Sequence, residues 1–261
     1  MILSVQKAMR ILSVLSDAKN QPVTLAVITA KTGFPPPTCA HILETLCHDG
    51  YAVRVSHSRG YTLGPALYCL TRYGRYEEEL VTLCRPVMRW MERSSHATVI
   101  LSVIQSRNKF IIDYADSEQN LLAEHTHIRT DDIYRTATGR AILAHSDRET
   151  VRDVYQKYGA PSQSDWQGIS SPEDLDEALD ALRHQEIVTS GLENDTILHR
   201  NIGLACPLFR KKTCIGALGL AWKTEEGQLT IDPAVKENLY LVLKRGTREI
   251  HRRLAYEDSV K

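Results

Sequence analysis

The run Tyr134-Arg135-Thr136-Ala137-Thr138-Gly139 places a guanidinium, two hydroxyls and a glycine just before an apolar stretch with helical spacing. At a helix N-terminus the first backbone N–H groups lack partners and the dipole is positive, so this run can hold an anion. Thr136 and Thr138 add hydroxyl donors, Ala137 and Gly139 let a ligand approach the backbone, and Arg135 can pair bidentately with a carboxylate. In the plainer reading Thr136 and Thr138 only cap the helix and Arg135 is solvated. A second polar set, Thr38, His41, Thr45 and His48, with Pro37 at the start of its helix, lies opposite the apolar stripe Cys39, Ile42, Leu43 and Leu46. Short donors and acceptors on a helix that fits the DNA major groove suit base readout, whereas Gln6, Lys7, Lys31, Arg54, Arg59 and Tyr61 suit phosphate contacts. The third set is His125-Thr126-His127. Strand periodicity would put both imidazoles on one face, near Glu124, Asp131 and Asp132, a combination able to bind zinc or nickel. Lone pairs of this kind are common, and exposed or ligand-facing histidines are the plainer reading.

The elements that position these groups follow from periodicity and punctuation. Val5, Ala8, Met9, Ile11, Leu12 and Leu15 predict a first helix over 4–17, with Ser4 as its cap. Thr24 caps a second helix over 25–32, which Gly33 ends. A third begins near Pro37, because proline is tolerated in a first helical turn, and runs to Asp49 before Gly50. Tyr51, Val53 and Val55 alternate with polar residues, a polar turn spans 57–60, and Tyr61-Thr62-Leu63 returns as a hairpin. Three helices and a hairpin in about 65 residues make a winged helix-turn-helix. Residues 67–95 read as a helical linker of two helices, since Arg75-Tyr76-Glu77-Glu78-Glu79 looks solvated. Beyond it come strands over 97–104, 109–116 and 121–128, helices over 136–145, 148–158 and 171–185, strands over 187–192, 202–209 and 214–223, and a long helix over 232–256. The strands over 202–209 and 214–223 are nearly all apolar, which predicts burial on both faces. The chain is therefore α+β, with domains over 1–66 and 96–258 joined by the linker 67–95.

Composition excludes several classes. With 261 residues, 43% of them apolar and 25% charged, the chain is globular and long enough for two cores. No apolar run approaches a membrane span, which predicts a cytoplasmic protein. The six Cys form no CxxC pair and sit among apolar neighbours, the pattern of reduced, buried thiols. The zero net charge hides a polarity: residues 1–68 carry six Lys/Arg against three Asp/Glu, plus His41, His48 and His57. That excess suits a small module facing a polyanion. No GxSxG, HExxH, GxxxxGK or strand-linked GxGxxG is present, so the usual catalytic and nucleotide signatures are absent.

Ser4-Val5-Gln6-Lys7-Ala8-Met9-Arg10-Ile11-Leu12, the helix-turn-helix from Thr24 to Tyr51 and Tyr61-Thr62-Leu63-Gly64 together resemble the IclR family of bacterial transcription regulators. Thr136 to Ala144 and Ile202 to Leu208 look like two signatures of that family's C-terminal domain. The resemblance implies a winged helix-turn-helix, a helical linker and a GAF-like α/β ligand-binding domain, assembled as a homodimer or dimer of dimers. It also implies that Glu193, Gly203, Gly219 and Ala221 face the Arg135–Gly139 run. The glycines and alanine stand where relatives often carry a Cys and two Ser, which predicts a smooth wall with room for an apolar body. The departures are Pro36 and Pro37 in place of a basic residue or Ser, and His41 in place of Arg.

The expected function is a DNA-binding regulator, with no cofactor and no catalysis, whose affinity for a palindromic double-stranded operator responds to a small carboxylate. Two copies must present their recognition helices about one DNA turn apart for symmetric half-sites. A ligand changes DNA affinity only as far as it prefers one arrangement of those heads. The alternatives are a metal-responsive regulator using His125 and His127, a metabolite-converting enzyme, and an architectural DNA binder. Turnover of the ligand discriminates the enzyme. The architectural reading calls for a far more basic chain.

Overall fold

The computed structural model describes residues 2–18, 21–56, 59–71, 78–116, 129–130, 132–193, 195–199 and 201–260. It divides into two compact units, Met1–Glu78 and Glu79–Lys261.

The first unit contains α1 (Leu3–Asp17), α2 (Leu25–Thr32), α3 (Pro36–His48), a hairpin of β1 (Ala52–Ser56) and β2 (Gly60–Leu63), and α4 (Pro65–Thr71). The stripes of the three long helices converge on Ile11, Val14, Leu15, Ile28, Cys39, Leu43 and Leu46. Thr24 caps α2 by accepting from the Val27 N–H, and Gly33 ends it at φ 71°, as the sequence predicts. Ser4 does not cap α1. The helix starts at Leu3, with Ile2 at the cap and no side-chain bond there, so Ser4 already lies in the first turn. Both Pro36 and Pro37 fall in the first turn of α3, where a missing N–H leaves no bond unmade. The hairpin is tied back to the segment before α2 by paired backbone bonds between Val23 and Tyr61. Gly60, at φ 96°, permits that approach, since a Cβ would strike the Val23 carbonyl.

The second unit is built on a six-stranded antiparallel sheet in the order β5-β4-β3-β10-β9-β6. Its strands are β3 (Thr98–Gln105), β4 (Asn108–Ala115), β5 (Arg129–Thr130), β6 (Val188–Ser190), β9 (Asn201–Arg210) and β10 (Thr213–Lys223). A two-stranded ribbon, β7 (Leu192–Glu193) with β8 (Thr196–Ile197), leaves the sheet after β6. The nearly all-apolar strands β9 and β10 lie inside the sheet, covered on both faces. On one face, α5 (Glu78–Ser95) and α9 (Pro233–Val260) pack on Val99, Leu101, Leu204, Leu218 and Leu220. On the other lies α6 (Ala137–Ala144), followed by α7 (Arg148–Tyr158) and α8 (Pro172–Arg183), whose apolar sides gather around Leu143, Val151, Val154, Leu175 and Leu179. Ser171 and Asp174 form a reciprocal capping box on α8.

The segment 67–95 holds two helices, as expected, and they are divided between the units. Its first part continues α4 in the first unit, while α5 inserts Leu80, Cys84, Met88 and Met91 into the sheet core of the second. Their fully buried stripe is what an amphipathic helix needs and a solvated connector does not. The strand expected over 121–128 lies outside the described residues. The C-terminal helix runs to Val260, past the expected end at Tyr256.

Candidate functional site

In the first unit the outward face of α3 carries Pro37, His41 and Thr45, all exposed, with Thr38 half-buried beside them. The hydrogen bond from the Thr45 hydroxyl goes to its own helix, to the His41 carbonyl at 3.1 Å. His41 Nδ1 lies 3.9 Å from Glu44 Oε2, both side chains more than four-fifths exposed. Sequence reasoning missed Glu44, although its place three residues after His41 puts it on the same stripe; a carboxylate there can accept from the amino group of cytosine. Around this face, Gln6 and Lys31 are exposed, and the Lys7 ammonium sits 5.6 Å above the Phe34 ring at the α2–α3 turn. Arg54 and Tyr61 are register partners on the hairpin, with the guanidinium 5.6 Å from the ring centroid. Arg59 is exposed, its backbone N–H donating to the Ser56 hydroxyl.

In the second unit Thr136 caps α6. Its hydroxyl oxygen accepts from the Gly139 N–H at 3.3 Å and from Lys109 Nζ at 2.7 Å, and the hydroxyl lies 3.2 Å from the Asp132 carbonyl. The Ala137 N–H donates to the Ser190 hydroxyl at 3.0 Å. Arg135 is half-exposed, with Nη2 3.7 Å from Asp132 Oδ2. Glu193 is exposed on β7, and Thr138 is buried against the sheet. Gly203 and Ala221 are cross-strand partners, as are Gly219 and Ala205.

The room expected above the glycines is taken by α6 itself. A Cβ on Gly203 would lie 2.5 Å from the Ser190 hydroxyl and 3.3 Å from Ala137 Cβ, and one on Gly219 would lie 2.5 Å from Thr138 Cγ2. Gly139 meets the Ile133 carbonyl more closely still. Small residues on helix and sheet therefore let the helix start sit directly on the strands, and at these two positions the glycines form a packing surface rather than open space.

Two cations, the buried Lys109 and the half-buried Arg140, support this helix and escaped sequence reasoning. Lys109 on β4 has a side chain only 2% exposed, 2.8 Å from Asp132 Oδ1. Burial pulls its pKa below the ordinary lysine value, with Asp132 pulling the other way. Arg140 donates to the carbonyls of Tyr134, Thr189 and Asp165 and lies 4.4 Å from the Trp166 ring centroid. Desolvation lowers its pKa to about 10. A Lys in a strand and an Arg in a helix read as solvated when their partners lie tens of residues away.

His125 and His127 lie outside the described residues; among those described, no group of three His, Cys, Asp or Glu could hold a metal ion. Cys39, Cys84 and Cys206 are buried, as expected, but Cys69 is exposed. Burial pushes the Cys84 and Cys206 thiols up to about 12 and 11, far from reactive thiolates. Among the described residues no helix is long and apolar enough to cross a membrane.

Residues 76–228 match the model of the bacterial transcriptional regulator IclR C-terminal domain, and residues 4–56 match that of the IclR helix-turn-helix domain. The HTH-type transcriptional regulator KdgR of Escherichia coli K12 is 24% identical over 259 residues, 98% of this chain and 94% of that protein. Among solved structures, an IclR homolog from Microbacterium hydrocarbonoxydans complexed with 4-hydroxybenzoate aligns at a TM-score of 0.69 and 18% identity, covering 97% of this chain and 99% of that one. An IclR transcriptional regulator from Alicyclobacillus acidocaldarius aligns at 0.67 and 21%, covering 97% and 98%.

Proposed function

The chain belongs to the IclR family of bacterial transcriptional regulators, and on that premise we propose how its two units divide the work. The helix-turn-helix unit binds double-stranded DNA; Pro37, Thr38, His41 and Thr45 read base edges, and Gln6, Lys7, Lys31, Arg54, Arg59 and Tyr61 grip phosphates. One such unit buries too little surface for operator-level specificity, so the working form is a homodimer or dimer of dimers on a palindromic site. The second unit senses a small organic acid at the start of α6, beside the half-exposed Arg135 and the Thr136 cap, while Gly203 and Gly219 pack beneath the helix instead of lining the ligand. The metabolite leaves unchanged, and the protein acts in the cytoplasm.

The single observation that carries this reading is the exposed polar face of α3, opposite the stripe of Cys39, Leu43 and Leu46 that the helix buries in the core of its unit. For the ligand, support comes from the cationic groups at the start of α6. A structural relative holding 4-hydroxybenzoate fits an aromatic or hydroxylated acid. The metal-responsive alternative has no such support. Selection of bound sequences from random duplex DNA tests the DNA half. A symmetric consensus with two half-sites is the expected result, and recovery of unrelated sequences in equal measure refutes it.

A further inference from the structure

The buried ammonium of Lys109 is costly where it stands. It lies at the positive end of α6, close to the Arg135 guanidinium, and a cation at a helix N-terminus is disfavoured. Arg135 and desolvation both push Lys109 toward its neutral form. An apolar residue of similar volume would avoid these penalties. Lys109, Arg135 and the helix start thus converge on Asp132, whose two oxygens are divided between the two cations at 2.8 and 3.7 Å. Burial is uneven: 2% of the Lys109 side chain is exposed, against 20% of Asp132 and 49% of Arg135. Asp132 is thus the more exposed partner of the ammonium, on a residue preceding the helix rather than within it.

We propose that Lys109 is the anion anchor of the second unit and that Asp132 holds its place as an internal carboxylate, which a bound organic acid displaces. This rests on the reading of the start of α6 as a carboxylate sensor and adds the charge that selects the ligand class and the group that competes with it. Displacement exchanges one carboxylate for another at the same ammonium, so the buried charge is never left unpaired. Arg135 stays beside the released Asp132, and the Thr136 hydroxyl keeps its bond to the Gly139 N–H. A monocarboxylate satisfies the arrangement; a neutral amide of the same shape does not.

The test is calorimetry on the full chain with pyruvate, gluconate, benzoate and 3-phenylpropionate, each against its amide, for the wild type, Asp132→Asn and Lys109→Met. Asp132→Asn removes the competitor and keeps the shape. It should bind the preferred acid about tenfold tighter, about 1.4 kcal/mol. Lys109→Met should bind acid and amide alike. A merely structural pair predicts the opposite sign for Asp132→Asn, since loosening the cap weakens binding. If Lys109→Met does not fold, judged by its thermal melt, Asp132→Asn carries the test alone. A wild type that prefers acids, together with an Asp132→Asn variant that gains nothing, overturns the anchor and leaves the sensor reading standing. If neither wild type nor Asp132→Asn binds any of the four acids, the organic-acid reading fails and the anchor with it.

Discussion

The outward face of α3 and the first turn of α6 both present short polar groups near a helix N-terminus, yet they are built in opposite ways. On α3 the side chains are exposed, and the bonds seen for Thr45 and His41 stay within the helix. On α6 the cap hydroxyl, the Ala137 N–H and the Lys109 ammonium are all tied to other parts of the unit, under buried glycines. An exposed polar face costs little to keep and can be rewritten without harm to the fold. A buried one can be altered only together with its partners. The polar face of α3 is thus a free variable of the sequence, and the start of α6 is part of the core.

Substitutions sharpen this contrast. The largest effect is expected at Gly139, where a Cβ would be driven against the Ile133 carbonyl. Gly139→Ala should destabilise the second unit by about 3 kcal/mol, lowering its melting temperature by roughly 6–12 °C. An unchanged melt would mean that α6 is free to lift from the loop before it. Arg140→Ala strands three backbone carbonyls and should cost about 2 kcal/mol, read in urea unfolding.

The exposed face should behave differently. His41→Ala should leave stability within about 0.5 kcal/mol of wild type while flattening sequence preference by about 1 kcal/mol at one base pair, measured by competition among duplexes. Arg59→Ala should weaken binding to all duplexes alike and reduce the salt slope by about 1. A loss of fold in either variant would erase the distinction between the two regions.

The smallest expected effect is on acid stability. Backbone and hydroxyl donors of Ser170 and Ser171 hold the Asp174 carboxyl down at about 2, and Arg252 with Arg253 hold Glu249 at about 2. Both values lie below those of an unfolded chain, so their contribution is present above the ordinary carboxylate range and fades as pH falls through it toward 2. Asp174→Asn should lower stability slightly at neutral pH and converge with the wild type as pH falls toward 2, so that the acid limb of its unfolding profile is shallower.

Elements closed by local chemistry were legible in the sequence. Thr24 and Gly33 bound α2, and α7 occupies the expected residues 148–158. Capping bonds reach three or four residues, so a sequence shows both ends at once. The outward polar stripe of α3 was legible for the same reason, since helical spacing alone decides what faces out. The function of α5 was not: an amphipathic stripe shows that something is covered, not that it is the sheet face formed by β3, β9 and β10. The Lys109–Asp132 pair spans 23 positions, and the crowding at Gly203 and Gly219 depends on a helix some 60 to 80 residues earlier. Contacts of that range leave no periodic trace.

The central claim is that ligand occupancy in the second unit alters DNA affinity in the first. The most direct measurement is fluorescence anisotropy with the selected duplex, titrated with and without the acid preferred in calorimetry. The account predicts a Kd for the selected duplex that shifts by at least about fivefold with the acid and not with its amide, the lower end of ordinary coupling energies. A Kd that stays fixed while calorimetry shows the acid bound would contradict it.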